Sequence, residues 1–150
     1  MNKLINISGN HIFGAPREKL WPLLFDPNNL MEIIPGCKSL EVNEKGNYHG
    51  KIQIGLAGIS GNFITNIRIV DTDPPQFCRF SGEVSGSSGV ITGSAEIILA
   101  EEDENCLIVY NANGIITGAL GYFNPRYIEG ITQTLIKHGL NKLERNLNTM

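Results

Sequence analysis

The stretch FDPNNLMEIIPGCKSLE, Phe25 to Glu41, decides how the first third of this chain folds. Asp26 is a favoured N-cap residue and Pro27 suits the first helical position, so a short helix begins here. Its apolar residues recur at helical spacing until a Pro-Gly pair ends the helix. Cys37 then begins a β-strand, which raises the question whether its thiol does chemistry or only closes a corner of the fold.

Three patterns surround this stretch. Residues 4–13 are rich in β-formers and predict a first strand, and the proline at position 16 begins a first short helix. From residue 37 to about 116, apolar residues alternate between turns, which predicts about six antiparallel strands. After an extra turn at 118–123, an Asn-Pro pair begins a long amphipathic helix. We expect this helix to bury its apolar side against the concave face of the sheet.

Composition limits the functions that this chain can have. Its 150 residues suggest one domain, 1–150, and 41% of them are apolar. A net charge of −3 argues against a nucleic-acid-binding surface, and no apolar run is long enough to cross a membrane. The three cysteines are widely spaced and form no CxxC pair, so we expect a reducing, cytoplasmic location without disulfides.

The inward-facing positions of the predicted sheet alternate bulky apolar residues with very small ones. Gly139 also lies in the apolar stripe of the last helix, where glycine costs about 1 kcal/mol relative to alanine. The small residues either let the helix pack closely on a bent sheet or leave room for a ligand. In the second case Thr65, Tyr110 and Ser94 are the few polar groups of a mostly dry cavity. The candidate ligand-binding residues are Phe25, Ile33, Ile54, Leu56, Phe63, Thr65, Ile67, Phe80, Gly82, Gly93, Ala95, Ile97, Tyr110, Ala112, Ile131, Leu135 and Gly139.

Other chemistry has weaker signals. His11, His49 and His138 have no metal-ligand spacing, and the acidic run at 101–104 lacks the pattern of a calcium loop, so no metal or cofactor is expected. The glycine-rich segment SGSSGVITGS lacks a phosphate-binding motif and predicts a hairpin loop. We expect this loop and the one at 58–61 to border the mouth of a cavity.

Cys37 has two interpretations. A reactive thiol needs an electropositive setting, but the neighbouring Lys38 points to the opposite face of a strand. A small buried residue that closes the corner between helix and strand explains Cys37 equally well. The corner-closing role is the one we favour.

The order of elements resembles the helix-grip fold of the START and birch-pollen-allergen superfamily, an α+β fold. In that fold a curved antiparallel sheet of about seven strands wraps around a long C-terminal helix, and two short helices follow the first strand. Within the superfamily the chain is similar to the CoxG family of carbon monoxide dehydrogenase subunits from about residue 7 to 147. The segments that carry this similarity are Pro16, Leu20 and Trp21 before Asp26 and Pro27, IPGC (34–37), LE (40–41), GNF (61–63), VDTDPP (70–75) and RYIEG (126–130).

The resemblance implies an accessory protein rather than a catalyst. Such proteins work with molybdenum-containing hydroxylases of the carbon monoxide dehydrogenase type and help to recruit them to the membrane. A lipid or a quinone is the apolar ligand expected in the cavity. Many relatives continue into a proline-rich linker and an apolar anchor, whereas this sequence ends at Met150. We therefore expect no anchor in this chain, so that any association with a membrane would be peripheral.

Two alternatives remain open at this point. The same fold hosts cyclases and hydrolases, and Tyr110 with Thr65 would then be the interior groups that handle protons. A docking module that binds no small molecule is the other alternative. Phe13, Trp21 or Ile59 would then be exposed at a protein interface.

Overall fold

A computed structural model describes residues 2–56 and 59–149 of the chain, apart from the side chain of Leu56. It contains the predicted elements in the predicted order. A single 3₁₀ turn at Trp21–Leu24 follows the first short helix. Another at Ala119–Tyr122 precedes the long helix. The strands and helices are β1 (Lys3–Phe13), α1 (Arg17–Leu20), α2 (Pro27–Ile33), β2 (Cys37–Val42), β3 (Tyr48–Leu56), β4 (Ile59–Asp73), β5 (Phe77–Gly86), β6 (Gly89–Glu102), β7 (Asn105–Thr117) and α3 (Pro125–Asn148).

The strands form one antiparallel sheet of seven strands in the order β1-β7-β6-β5-β4-β3-β2. The first strand pairs with the last along its whole length, from Lys3 opposite Ile116 to Phe13 opposite Cys106. The other strands follow one another as hairpins, and α3 lies on the inner side of the curved sheet. The predicted α+β helix-grip architecture is therefore confirmed.

Both main helices begin as the sequence predicts. The side chain of Asp26 accepts a hydrogen bond from the backbone nitrogen of Asn28 over 3.0 Å, and Pro27 is the first residue of α2. The side chain of Asn124 accepts one from the backbone nitrogen of Arg126 over 2.9 Å at the start of α3. These caps satisfy backbone donors that have no partner within the helix.

Two buried apolar clusters hold α3 on the sheet. The first apolar cluster lies around the C-terminal half of α3, with β1, β6, β7 and the short helices. The second apolar cluster lies around the N-terminal end of α3. The middle of α3 therefore crosses the sheet between two packed regions. The first cluster consists of Phe13, Ala15, Leu20, Ile33, Leu99, Cys106, Ile108, Leu143 and Leu147, and the second of Ile5, Ile7, Ile59, Phe63, Ile116, Leu120 and Ile128.

Polar side chains of α3 cover the free edge of β1. Glu129 accepts a hydrogen bond from the backbone nitrogen of Asn6 over 2.7 Å, and Glu144 accepts one from that of Gly14 over 3.2 Å. Between them, the amide of Gln133 donates to the carbonyl oxygen of Ser8 over 2.8 Å. An uncovered strand edge would be a site for unwanted pairing, so these contacts both protect β1 and fix the position of α3.

The residues proposed for a docking interface are mostly not at the surface. Phe13 is fully buried in the first apolar cluster, and Ile59 is 8% exposed in the second. Trp21 is half-buried and packs against the first cluster. The expectation that Phe13 and Ile59 are exposed was wrong, because both side chains point into the space between sheet and helix.

Candidate ligand-binding cavity

A cavity of about 380 Å³ lies between the middle of α3 and the sheet. It occupies the space between the two apolar clusters, where the inner face of the sheet carries small side chains. The candidate residues that line it are Ile54, Thr65, Ile67, Phe80, Gly82, Gly93, Ala95, Ala112 and Leu135.

The other candidate residues lie elsewhere. Ile33 and Phe63 are buried in the first and second clusters, Ile97 packs against the first, and Tyr110 and Ile131 pack against the second. The ring of Phe25 contacts that of Trp21, with 4.8 Å between ring centroids. Gly139 faces the last turn of α2, since a Cβ there would lie 3.2 Å from the carbonyl oxygen of Ile33. Leu56 was also a candidate, and its side chain lies outside the described residues.

Several lining residues are missing from the candidate set, for two different reasons. The alternation of the strands places Ile52, Val84 and Ile91 on the inner face, two positions from candidates, so the sequence pattern contained this signal. Ile34 continues the helical spacing of Leu30 and Ile33, so this signal was also present. No periodicity points to Pro35, because it lies at the corner between α2 and β2. Ser94, which was expected as a polar group of the cavity, also lines it. The remaining lining residues are Ile5, Ile7, Glu83, Asn113, Gly114 and Thr132.

A row of three glycines forms part of the cavity wall. Gly82 pairs with Gly93, and Gly93 pairs with Gly114, so the row crosses three adjacent strands. With no side chains there, the cavity reaches the main chain of the sheet. This explains why Glu83, Ser94 and Asn113 are also lining residues, although strand alternation directs their side chains to the outer face.

Thr65 is the buried polar group of the cavity. It is 3% exposed, and its hydroxyl has no hydrogen-bond partner in the described part of the chain. The hydroxyl oxygen is not fully enclosed by protein atoms and faces the open space of the cavity. The hydroxyl of Thr65 is therefore available to a polar atom of a guest molecule.

Tyr110 serves a different purpose from the one expected of a cavity residue. Its hydroxyl donates a hydrogen bond to the side-chain oxygen of Gln133 over 3.2 Å, and Gln133 in turn bonds Ser8. Burial raises the pKa of Tyr110, so its hydroxyl stays protonated at neutral pH. Tyr110 thus links β7 to α3 and, through Gln133, to β1.

Charged groups are nearly absent from the cavity. Among the described residues that line it, Glu83 is the only ionisable one, and its side chain is exposed. A carboxylate or phosphate inside the cavity would therefore meet no positive charge. In residues 2–56 and 59–149, no three His, Cys, Asp or Glu side chains are grouped to hold a metal ion.

Residues 9–148 match the CoxG family, the G-subunit family of carbon monoxide dehydrogenase. The chain belongs to this family. Among curated proteins, none matches the chain. The CoxG match covers the corner between α2 and β2, the whole glycine row and nearly all of α3, so it includes most of the cavity wall.

Solved structures share the fold of this CoxG family member. A conserved protein from Geobacillus kaustophilus is 26% identical, with a TM-score of 0.92 over 97% of this chain and 96% of that one. An uncharacterised protein from Rhizobium leguminosarum is 13% identical, with a TM-score of 0.79 over 100% and 98% of the two chains. The Zhui aromatase/cyclase from Streptomyces sp. R1128 is 15% identical, with a TM-score of 0.65 over 97% and 96%. The last two, at this identity, establish the fold alone.

The CoxG segment IPGC forms the corner that the sequence analysis asked about. Gly36 has a φ of 78°, and its carbonyl oxygen accepts a hydrogen bond from the backbone nitrogen of Gln53 over 2.8 Å. The thiol of Cys37 donates to the carbonyl oxygen of Ser39 over 3.4 Å, and burial raises its pKa. A raised pKa keeps the thiol protonated at neutral pH, so Cys37 is disfavoured as a nucleophile.

The described part of the chain contains no helix with the length and apolar character needed to cross a bilayer.

Proposed function

We propose that this protein is a non-enzymatic accessory protein of a carbon monoxide dehydrogenase-type molybdenum hydroxylase, and that it binds an apolar molecule in the cavity under α3. The observation that carries the proposal is the cavity of about 380 Å³, whose wall is almost entirely apolar. Family membership supplies the expected partner enzyme, and the free thiols agree with a cytoplasmic location.

The size and chemistry of the cavity suit a lipid segment or a quinone. An apolar protein cavity of about 150 Å³ holds benzene, and ligand pockets usually measure about 300–1,000 Å³. Each methylene taken out of water contributes about 0.8 kcal/mol, so ten buried carbons give roughly 8 kcal/mol before the costs of association. Affinity of this origin needs no charged contact, in agreement with a wall that lacks positive side chains.

The experiment is native mass spectrometry of protein purified without detergent, with solvent extraction and lipid analysis of the same sample. We expect a stoichiometric apolar guest. A protein that is empty, and stays empty after incubation with quinones and fatty acids, would contradict the binding half of the proposal. The partner half is tested separately, by co-purification with the subunits of a molybdenum hydroxylase.

A pair of variants on one strand links the guest to the cavity. Ala95 lines the cavity and lies opposite Ala112, so Ala95→Phe should fill the space between strands and helix. Ala100 lies on the same strand, where alternation directs it to the other face, so Ala100→Phe is the matched control. The guest should disappear from Ala95→Phe and remain in Ala100→Phe. Glycines are poorer positions for this test, because a Cβ on Gly93 would collide with the carbonyl oxygen of Asn113.

An enzymatic role has less support. Tyr110 was the expected proton-handling group, but its hydroxyl is bonded to Gln133 and Tyr110 is not among the residues that line the cavity. Thr65 alone offers no acid or base near neutral pH. Turnover of a polyketide or ester substrate that Tyr110→Phe abolishes would favour the enzyme instead.

A further inference from the structure

A second, smaller cavity of about 240 Å³ lies beside the first, at the flank of the molecule. Three parts of the chain surround it: the corner at Pro35 and Gly36, the edge of β3 at residues 53–55, and the exposed side of α3 at Thr134 and His138. We call this space the vestibule.

The vestibule and the ligand cavity share part of their walls. Pro35, Ile54 and Leu135 line both spaces. Side chains from three different elements thus form the boundary between them, without an intervening strand or helix. Small rotations of Ile54 and Leu135 would join the two spaces, since such side-chain motions are fast in partly exposed residues.

The sheet itself leaves this gap. β2 pairs with β3 only as far as Cys37 opposite Ile52, so β3 continues beyond residue 52 without a β2 neighbour. One more backbone hydrogen bond follows, in which the nitrogen of Gln53 donates to the carbonyl oxygen of Gly36. Among the described residues, it is the last backbone bond between the corner and β3. Beyond it, the edge of β3 faces α3 across the vestibule.

The two ends of the ligand cavity are more tightly packed than its flank. On the side of residues 86–89 and of the start of β4, the second apolar cluster intervenes, with Phe63 at 3% and Leu120 at 3% exposure. Loops at residues 58–61 and 86–89 were expected to border the mouth, yet residues 59–61 begin β4, and neither they nor residues 86–89 line the cavity. Gly58 lies outside the described residues. The first apolar cluster packs the opposite end.

We propose that the vestibule is the opening through which an apolar guest enters, and that it holds the polar end of a guest whose apolar part fills the cavity. This inference rests on the proposed function. His138 supplies a hydrogen-bonding side chain at the rim, and the hydroxyl of Thr134, which donates to the carbonyl oxygen of Gly130 over 3.0 Å, can still accept a hydrogen bond. The cavity wall, by contrast, offers the hydroxyl of Thr65. The ligand class is therefore an amphipathic molecule with one compact apolar part and a polar group at its end.

The test is stopped-flow fluorescence with N-phenyl-1-naphthylamine, a neutral apolar probe. Thr134→Phe and His138→Phe place rings at the rim on exposed helix positions, where folding tolerates the change. Lys137→Phe is the matched control, because Lys137 is exposed on the same helix and borders a crevice between α3 and β1 instead of the vestibule. Thr134 borders both spaces and His138 borders the vestibule without that crevice, so His138→Phe is the more specific of the two rim variants.

We expect the rim variants to slow both association and dissociation of the probe by about tenfold, with the Kd changed by less than about threefold. Lys137→Phe should leave both rates unchanged, and Ala95→Phe should weaken the Kd. Saturable binding with wild-type rates in both rim variants would overturn the vestibule proposal alone. No saturable binding by the wild-type protein would overturn the proposed function and this inference together.

Discussion

Gly139 of α3 lies so close to the end of α2 that a Cβ on it would be 3.2 Å from the carbonyl oxygen of Ile33. The sequence left two explanations for a glycine in the apolar stripe of a helix: close packing or room for a ligand. Gly139 does not line the cavity, so close packing is its role. The contact also fixes the corner at Pro35 and Gly36, which forms part of the wall of both cavities.

The first prediction concerns Gly139 and its neighbour in the same helix, Gly130. Gly139→Leu should lower the free energy of unfolding by up to about 2 kcal/mol, because displacing the last turn of α2 costs about 1–3 kcal/mol and the gain in helix propensity, roughly 0.5–1 kcal/mol, offsets part of it. A Cβ on Gly130 meets nothing within 4 Å, so Gly130→Leu should raise the same quantity by roughly 0.5–1 kcal/mol through helix propensity. Urea unfolding measures both. Equal effects of the two variants would show that α2 does not press on Gly139.

The second prediction concerns Tyr48, which is 7% exposed and donates a hydrogen bond to the carbonyl oxygen of Phe25 over 2.5 Å. Tyr48→Phe should lower the free energy of unfolding by about 1–3 kcal/mol, because the carbonyl group is left without its partner. Tyr122 is 82% exposed, so Tyr122→Phe is the control and should change it by less than about 0.5 kcal/mol. An unchanged free energy of unfolding in Tyr48→Phe would mean that water replaces the lost hydroxyl.

The sequence pattern predicted the residues of regular strands better than those at corners. Alternation in β3 to β7 placed Ile54, Thr65, Ile67, Ala95 and Ala112 on the inner face, and all of them line the cavity. A period of two is imposed by the backbone of a strand, so it can be read from the sequence.

Positions set by packing between elements could not be predicted in this way. Phe25 was a candidate cavity residue, but its ring packs on Trp21 and its carbonyl oxygen accepts a hydrogen bond from the hydroxyl of Tyr48. Pro35 was not a candidate, yet it borders both spaces. The direction of such residues depends on how α2 packs against α3 and how the corner after α2 bonds β3, and both are contacts between segments distant in sequence.

The third prediction concerns the buried hydroxyl of Thr65. In protein without a guest, Thr65→Val should raise the free energy of unfolding by up to about 1 kcal/mol, because it replaces a hydroxyl that faces an apolar cavity without a protein partner and keeps the shape of the side chain. Thr132 also lines the cavity, but its hydroxyl donates to the carbonyl oxygen of Ile128 over 2.8 Å, so Thr132→Val should bring no such gain. Urea unfolding of delipidated samples compares the two. Destabilisation by Thr65→Val would mean that the hydroxyl already has a partner.

The last prediction concerns stability at alkaline pH. Cys106 is fully buried, and burial raises its pKa from 9.0 to about 11, with Arg17 acting against this shift and Glu18 adding to it. Between these values the folded chain keeps a proton that the unfolded chain has released, so the free energy of unfolding should fall as the pH rises. The loss attributable to Cys106 is at most about 3 kcal/mol. Urea unfolding from pH 8 to about pH 11 measures it, and Cys106→Ala, although less stable throughout, should show a shallower decline. If the free energy of unfolding declined equally in the two proteins, other groups would cause the alkaline sensitivity. Tyr48 and Tyr110 are such groups, because burial raises their pKa values too.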